Sequence, residues 1–225
     1  MGNTRTYSDA CAAAHALDLV GERWALLVVR ELLLGPKRFS DLRAGLPAIG
    51  PNRLTQRLHE LEEFGIVRRR KLGPPARSSV YELTDWGREL QPVLVHLGRW
   101  GRHSPFRDLE AGISVDALML ALTGDFDAAA GRELTATYEL VFGDDHLTVR
   151  VSDGRIEISR AEPVAPDATI ATDTKTFATV LTKKRRLREA IRSGDITASG
   201  DVASVQRLLD SFPRPEPAAA PMASE

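Results

Sequence analysis

Apolar positions set the first expectations for this chain. Leu17, Val20, Trp24, Leu27, Val28 and Leu34 recur at three- and four-residue spacing with Glu31 in the same stripe, which predicts one helix over about residues 12–34. Gly35-Pro36 closes it, a glycine suited to a helix end followed by a proline that cannot continue the helix. Ser40 is placed to cap a short helix over residues 41–45, which Pro47 ends. The next helix starts after Gly50-Pro51, because proline is tolerated in a first turn. It sets Leu54, Leu58 and Leu61 on one stripe, Asn52, Gln56 and His59 opposite, and Arg53 and Arg57 on the flank. Gly65 stops it, and the period changes to that of strands. A basic hairpin over residues 66–83 follows, with Arg68-Arg69-Arg70-Lys71 leading to Gly73-Pro74-Pro75 and Val80-Tyr81-Glu82-Leu83 returning. Thr84 or Asp85 then caps a helix through Leu90, Val93, Leu94, Leu97 and Trp100, whose apolar stripe suits either a dimer surface or internal packing.

Pro105 reads as a boundary, because the pattern beyond it changes. A helix over residues 115–123 precedes strands over 135–142, 147–151, 155–159 and 169–171. Helices over 174–181 and 187–193, a strand over 196–199 and a helix over 201–211 complete an α+β unit. The Pro- and Ala-rich stretch from Pro213 onward is expected to be disordered. The fold class is therefore α+β, with a first domain over residues 1–104, a second over 105–212 and a tail over 213–225.

Charge supports this division. Residues 1–105 hold 16 Lys+Arg against 11 Asp+Glu, a net of +5, and residues 106–225 hold 14 against 20, a net of −6. A basic half suits a polyanion, and an acidic half needs another role. The single Cys11 excludes an internal disulfide and agrees with a reducing compartment. No apolar run approaches the roughly 18 residues of a membrane span, and the N-terminus lacks a leader pattern. The expected setting is the cytoplasm, with no membrane partner.

A short amphipathic helix pair followed by a basic two-stranded ribbon has the shape to engage duplex DNA, helix in the major groove and ribbon on the flanking backbone. The candidate DNA-contacting residues are Arg38, Ser40, Asn52, Arg53, Thr55, Gln56, Arg57, Arg77 and Ser78. Asn52 and Gln56 can pair with adenine edges, and Arg53 or Arg57 with guanine. Arg38, Ser40, Arg77 and Ser78 suit phosphates, which fix register without reading sequence. Cys11, just before the first helix, is the candidate redox group, its thiol acidified by the helix end and nearby Arg residues.

The residues Cys11, Leu19-Val20-Gly21-Glu22-Arg23-Trp24, Arg30-Glu31-Leu32 and Gly35-Pro36-Lys37-Arg38-Phe39-Ser40-Asp41-Leu42 resemble the HxlR family of winged helix-turn-helix regulators. The likeness continues through Leu54-Thr55-Gln56-Arg57-Leu58, Gly65-Ile66-Val67-Arg68-Arg69, Tyr81-Glu82-Leu83-Thr84 and Trp100, and covers about residues 8–103. It implies a homodimeric bacterial repressor or activator on a pseudo-palindromic operator, with Cys11 matching a cysteine through which some members sense electrophiles or oxidants. Residues 108–212 resemble a sterol-carrier-protein-type lipid-binding domain, chiefly through Arg192-Ser193-Gly194-Asp195-Ile196 and Ser199-Gly200-Asp201. That resemblance implies an apolar tunnel and an apolar small-molecule effector. The Gly-containing stretch usual before its helical segment is replaced here by Thr182-Lys183-Lys184-Arg185-Arg186.

An enzyme is not expected. The five His residues are scattered, and there is no phosphate-binding Gly loop, Gly-x-Ser-x-Gly elbow or metal-ligand spacing. No catalytic residue, metal or cofactor is assigned. Asp144-Asp145-His146 is the nearest approach to a cluster and reads as a hairpin turn. The expected function is a DNA-binding transcriptional regulator, read as a dimeric repressor tuned by an apolar ligand. The alternatives are redox sensing through Cys11, or a lipid carrier that retains a basic domain.

Overall fold

The computed structural model describes residues 6–73, 78–108 and 111–213. The chain divides into two compact units, Met1–Leu94 and Val95–Glu225.

The first unit begins with α1 (Ala12–Val20) and α2 (Ala25–Leu32) in place of the single helix expected over 12–34. Gly21 N–H closes the last turn on Leu17 O at 2.8 Å, and Trp24 takes a left-handed conformation with φ 81°. A Cβ at Gly21 would strike that same carbonyl, so the tight turn needs glycine. The break rotates the apolar stripe. Ala25, Val28, Val29 and Leu32 are fully buried, whereas Leu17 and Leu27, expected inside, face solvent.

Helix α3 (Phe39–Gly45) starts one residue before Ser40, which is thus inside the helix and is not its cap. Arg38 is the capping position, its N–H donating to the Asp41 carboxylate at 3.0 Å, an acid where the helix N-terminus favours one. Helix α4 (Pro51–Glu63) has Pro51 in its first turn, as expected, and buries Leu54, Leu58 and Leu61. Strands β1 (Val67–Lys71) and β2 (Ser79–Leu83) pair antiparallel, Val67 opposite Leu83 and Lys71 opposite Ser79. Lys37 and Tyr81 exchange both backbone hydrogen bonds, at 2.9 and 2.8 Å, which ties this ribbon to the chain just before α3. The ribbon tip at Pro74 and Pro75 lies outside the described residues.

Thr84 caps as expected, accepting from Gly87 N–H at 3.0 Å. The helix it starts is two pieces, α5 (Asp85–Arg88) and α6 (Leu90–Arg102), with a turn at Glu89. The division of the chain falls inside α6, eleven residues before Pro105. The end of α6 belongs to the second unit, where Arg99 donates to Gly124 O and Arg102 pairs with Asp125.

In that unit α7 (Val115–Asp125) precedes a five-stranded sheet in the order β5-β4-β3-β6-β7. The strands are β3 (Ala136–Phe142), β4 (Asp145–Ser152), β5 (Arg155–Ser159), β6 (Ala168–Ala171) and β7 (Thr197–Gly200). All neighbours are antiparallel except β3 and β6. Helices α8 (Thr174–Leu181) and α9 (Leu187–Arg192) connect β6 to β7, and α10 (Val202–Asp210) follows. Strand β3 alternates buried and half-buried along its length, so one face of the sheet carries the core. There Tyr138, fully buried, donates to Ser204 O at 3.0 Å and accepts from Ser204 Oγ at 2.8 Å. Phe142 meets Phe177 edge-on, centroids 5.6 Å apart. Every element expected beyond Pro105 is present, with ends displaced by a residue or two. The tail expected to be disordered lies outside the described residues from 214 on.

Candidate nucleic-acid interface

Helices α3 and α4, joined by residues 46–50, form a helix-turn-helix with the β1–β2 ribbon behind it. The inner face of α4 is its leucine stripe. Its outer face presents Asn52, Arg53, Thr55, Gln56 and His59, all exposed. Thr55 Oγ1 donates to Pro51 O at 3.0 Å, and Gln56 Nε2 donates to Glu60 Oε1 at 3.0 Å, which holds the amide upright on the helix. Arg38, Ser40 and Arg43 are exposed along α3. Ser40 Oγ donates to Asp41 Oδ1 at 3.0 Å.

Arg57 departs from expectation. It is 7% exposed and pairs with Glu60 and, at 3.7 Å, with Glu22, so it is withdrawn from the surface that was to read guanine. Its position explains this: three residues after Leu54 and four before Leu61, it lies within the apolar stripe. The same spacing, applied to α4 from the sequence, would have found it. Arg53 remains as the exposed cation of α4's first turns.

Ser78 also departs. Its carbonyl closes the ribbon by accepting from Leu72 N–H at 2.8 Å. Its hydroxyl is buried and has no hydrogen-bond partner among the described residues, so it is not offered to a phosphate. Arg77 lies outside the described residues.

The ribbon sorts its cations by face. Arg68 and Arg70 bond Glu82 at 2.8 and 3.0 Å. Burial opposes ionisation of Glu82, but the two guanidinium groups outweigh it and hold its carboxyl below the usual range. Arg69 and Lys71 alternate to the other face and are exposed, with Arg69 over the Tyr81 ring at 5.8 Å. Arg43, Arg69 and Lys71 are cations the sequence reading did not single out. Period-two alternation with Glu82 opposite Arg68 is the signal that separates the ribbon's free pair from its neutralised one. Beneath the motif, fully buried Glu31 bonds Arg30 at 2.8 Å and Lys37 at 2.9 Å.

Cys11 is exposed and occupies the N-cap position of α1. Its thiol is pulled below its ordinary value of 9.0 by the backbone N–H groups of Ala14 and then Ala13. The acidifying groups are backbone amides, not the Arg residues expected to act.

The second unit offers no comparable constellation. Among the described residues no group of three His, Cys, Asp or Glu could hold a metal ion. Asp144-Asp145-His146 disperses around the β3–β4 turn, as the turn reading implies: Asp145 pairs with Arg160, and His146 Nδ1 meets Glu139 Oε1 at 2.9 Å. That hydrogen bond raises the His146 pKa above its ordinary 6.5. No helix among the described residues is long and apolar enough to cross a membrane.

Residues 19–107 match the HxlR-like helix-turn-helix family. The HTH-type transcriptional regulator YdeP of Bacillus subtilis is 34% identical over 93 residues, covering 41% of this chain and 73% of YdeP. Through this segment the chain belongs to the HxlR family. The HTH-type regulator YvaP of the same organism is 39% identical over 85 residues, covering 38% of this chain and 79% of YvaP. The reduced form of the B. subtilis regulator YodB is 33% identical with a TM-score of 0.39, over 44% of this chain and 97% of YodB. The protein is thus an HxlR-family, DNA-binding transcriptional regulator. Its second half, residues 108–218, is similar to the alkyl sulfatase C-terminal family. That match stands where a sterol-carrier-type domain was expected.

Proposed function

We propose that this HxlR-family protein reads duplex DNA with the outer face of α4 and grips it through α3 and the ribbon. Asn52 and Gln56 meet adenine edges, Arg53 meets guanine, and Thr55 packs beside them. Arg38, Ser40, Arg69 and Lys71 hold phosphates. The observation that carries this reading is the division of α4: leucines fully inward, and amide, hydroxyl and guanidinium groups outward in its first turns.

The working unit proposed is a homodimer that represses by occupying its operator. Val93, Leu97 and Trp100 are 51%, 47% and 77% exposed at four- and three-residue spacing on α6, an apolar stripe that a symmetric partner can cover. Two copies of α4 would then enter successive major grooves about 10 base pairs apart. Enrichment of a randomised duplex pool by the full chain tests this. An inverted repeat with that half-site spacing is the expected product. Recovery of no shared sequence, or an unchanged preference in Asn52→Ala/Gln56→Ala, overturns it.

Cys11 favours a second reading, in which oxidation or alkylation of the exposed, acidified thiol releases the operator. As the chain's one cysteine, it would act through an intersubunit or mixed disulfide. If Cys11→Ser still releases DNA on oxidant treatment, this route is closed.

Control by an apolar ligand, implied by the sterol-carrier resemblance, requires space in the second unit. Leu118, Met119, Tyr138, Leu140 and Leu147 there are at most 1% exposed. A tunnel wide enough for an acyl chain would leave its lining open to water. None of these five side chains lines such a tunnel, so a ligand of that kind would have to use other residues of the unit or prefer an opened form of it.

A further inference from the structure

Half of the Lys and Arg residues in the acidic second half of the chain lie in one short segment. Residues 174–192, comprising α8, the turn after it and α9, hold 7 Lys+Arg against 1 Asp+Glu. The rest of residues 106–225 holds 7 against 19. Elsewhere in this unit several cations are paired: Arg102 with Asp125, Arg160 with Asp116 and Asp145, Arg207 with Asp201. Along α8–α9 the one carboxylate is Glu189, and Arg185 is held by Asp195 and Ser193 from beyond the segment.

The fold presents this charge outward. Leu187 and Ala190 bury the inner face of α9, while Arg188 and Arg192, one turn apart, are exposed on the other. Lys184 is exposed in the preceding turn, which is pinned by hydrogen bonds from Lys184 and Arg185 N–H to Thr179 O at 3.0 and 3.2 Å. Lys183 adopts a left-handed φ of 57° there, a conformation that costs a non-glycine residue energy. An open cleft lined by Lys175, Thr176, Thr179, Lys184 and Arg185 adjoins it. Side chains one turn apart stand about 5 to 6 Å from each other, a spacing suited to successive phosphates of one strand.

We propose that the α8–α9 surface is a second duplex-DNA contact, one that binds backbone phosphates without reading sequence. The inference rests on the DNA-binding reading of the first unit and adds to it a polyanion site in the half whose net charge is negative. DNA is favoured over other polyanions because the same chain already brings a duplex to it, at the high effective concentration of a linked site. Residues that contact only phosphates release counterions, so their signature is the salt dependence of binding.

The test uses the full chain and a fluorescent mixed-sequence duplex across a potassium chloride series. Lys184→Ala/Arg188→Ala/Arg192→Ala should weaken binding at least tenfold at about 0.1 M salt and shallow the slope of log K against log salt by about 2.7, since each phosphate contact contributes about 0.9. Arg188→Lys/Arg192→Lys, which keeps the charge, should restore the native slope. An unchanged slope in the triple variant, while Arg53→Ala still weakens binding, overturns the inference and leaves the first unit's role intact. A native chain that binds no duplex takes down both. Loss of binding to phosphatidylglycerol vesicles with duplex binding unchanged also overturns it, because the surface would then serve anionic lipid.

Discussion

Helices α4 and α9 both turn an apolar face inward and a cationic one outward, yet they are built for different tasks. The outer face of α4 mixes Asn52, Arg53, Thr55 and Gln56, groups that donate and accept at defined angles. That of α9 offers Arg188 and Arg192, next to Lys184, and no amide. Mixed polarity distinguishes base edges, and an excess of positive charge recognises a uniform row of phosphates. A count of basic residues does not separate reading from gripping. The geometry of the neighbours does: Arg57 lies in α4 beside Arg53 but is neutralised by Glu60 and Glu22.

The sharpest way to break this comparison is to attack α4 from within. Leu54 is fully buried, so Leu54→Ala should destabilise the protein by about 2 to 5 kcal/mol. Arg188→Ala on the exposed face of α9 should change stability by no more than about 0.5 kcal/mol. Urea denaturation followed by circular dichroism measures both. Equal losses would mean that α9's outer face is structural and that the contrast is wrong.

Next in size is the split between reading and gripping. Gln56→Ala should cost about 1 to 3 kcal/mol of discrimination between the preferred and a mutated operator while leaving the salt slope nearly unchanged. Arg69→Ala should weaken preferred and mutated sites alike and reduce the slope by about 0.9. Paired binding isotherms over a salt series separate the two outcomes. Arg57→Ala sharpens the point, because a buried, paired guanidinium should influence the fold more than sequence preference.

Much of this arrangement was legible in the sequence because it depends on local period. Leu54, Leu58 and Leu61 fix the face of α4 whatever surrounds them, and the turn residues of the second half locate its strands to within a residue or two. What stayed hidden depends on contacts distant in sequence or on single backbone conformations. The left-handed Trp24 divides a stripe that otherwise reads as one helix. The second ion pair of Arg57, with Glu22, reaches residues before α2, and the Arg residues that hold Glu82 lie on the other strand of its ribbon. In the second half, local period located the elements, but what such a domain binds depends on side chains brought together from distant strands and helices, which no local period reveals.

A smaller effect distinguishes the units by pH. The Glu139 hydrogen bond raises the His146 pKa in the folded state, outweighing the opposing effect of burial. A raised folded pKa means that protonated His146 stabilises the native sheet fully below about 6.5, its unfolded value, and that this contribution disappears as pH rises through the folded value. The hydrogen bond from His146 also lowers the Glu139 pKa, so that carboxylate's contribution is present above its ordinary 4.5 and is lost toward acid. The melting temperature of the native protein should therefore fall from pH 6.5 upward more steeply than that of His146→Ala. Parallel profiles would show that the pair contributes nothing.

The smallest expected change is at Cys11. Because it is exposed at the start of α1 and touches no core, Cys11→Ser under reducing conditions should shift stability by less than about 0.5 kcal/mol and leave operator affinity unchanged. Chemistry, not packing, should reveal this residue. The Ala14 and Ala13 amides favour the thiolate, so at neutral pH Cys11 should be alkylated by iodoacetamide faster than a free cysteine thiol, with a reactivity midpoint below 9.0. Ala14→Pro, which a first helical turn tolerates, should shrink that advantage, because proline removes the amide that does most to acidify the thiol. A midpoint that stays at the ordinary value in the native chain would remove the basis for redox control, and would leave DNA recognition by α4 untouched.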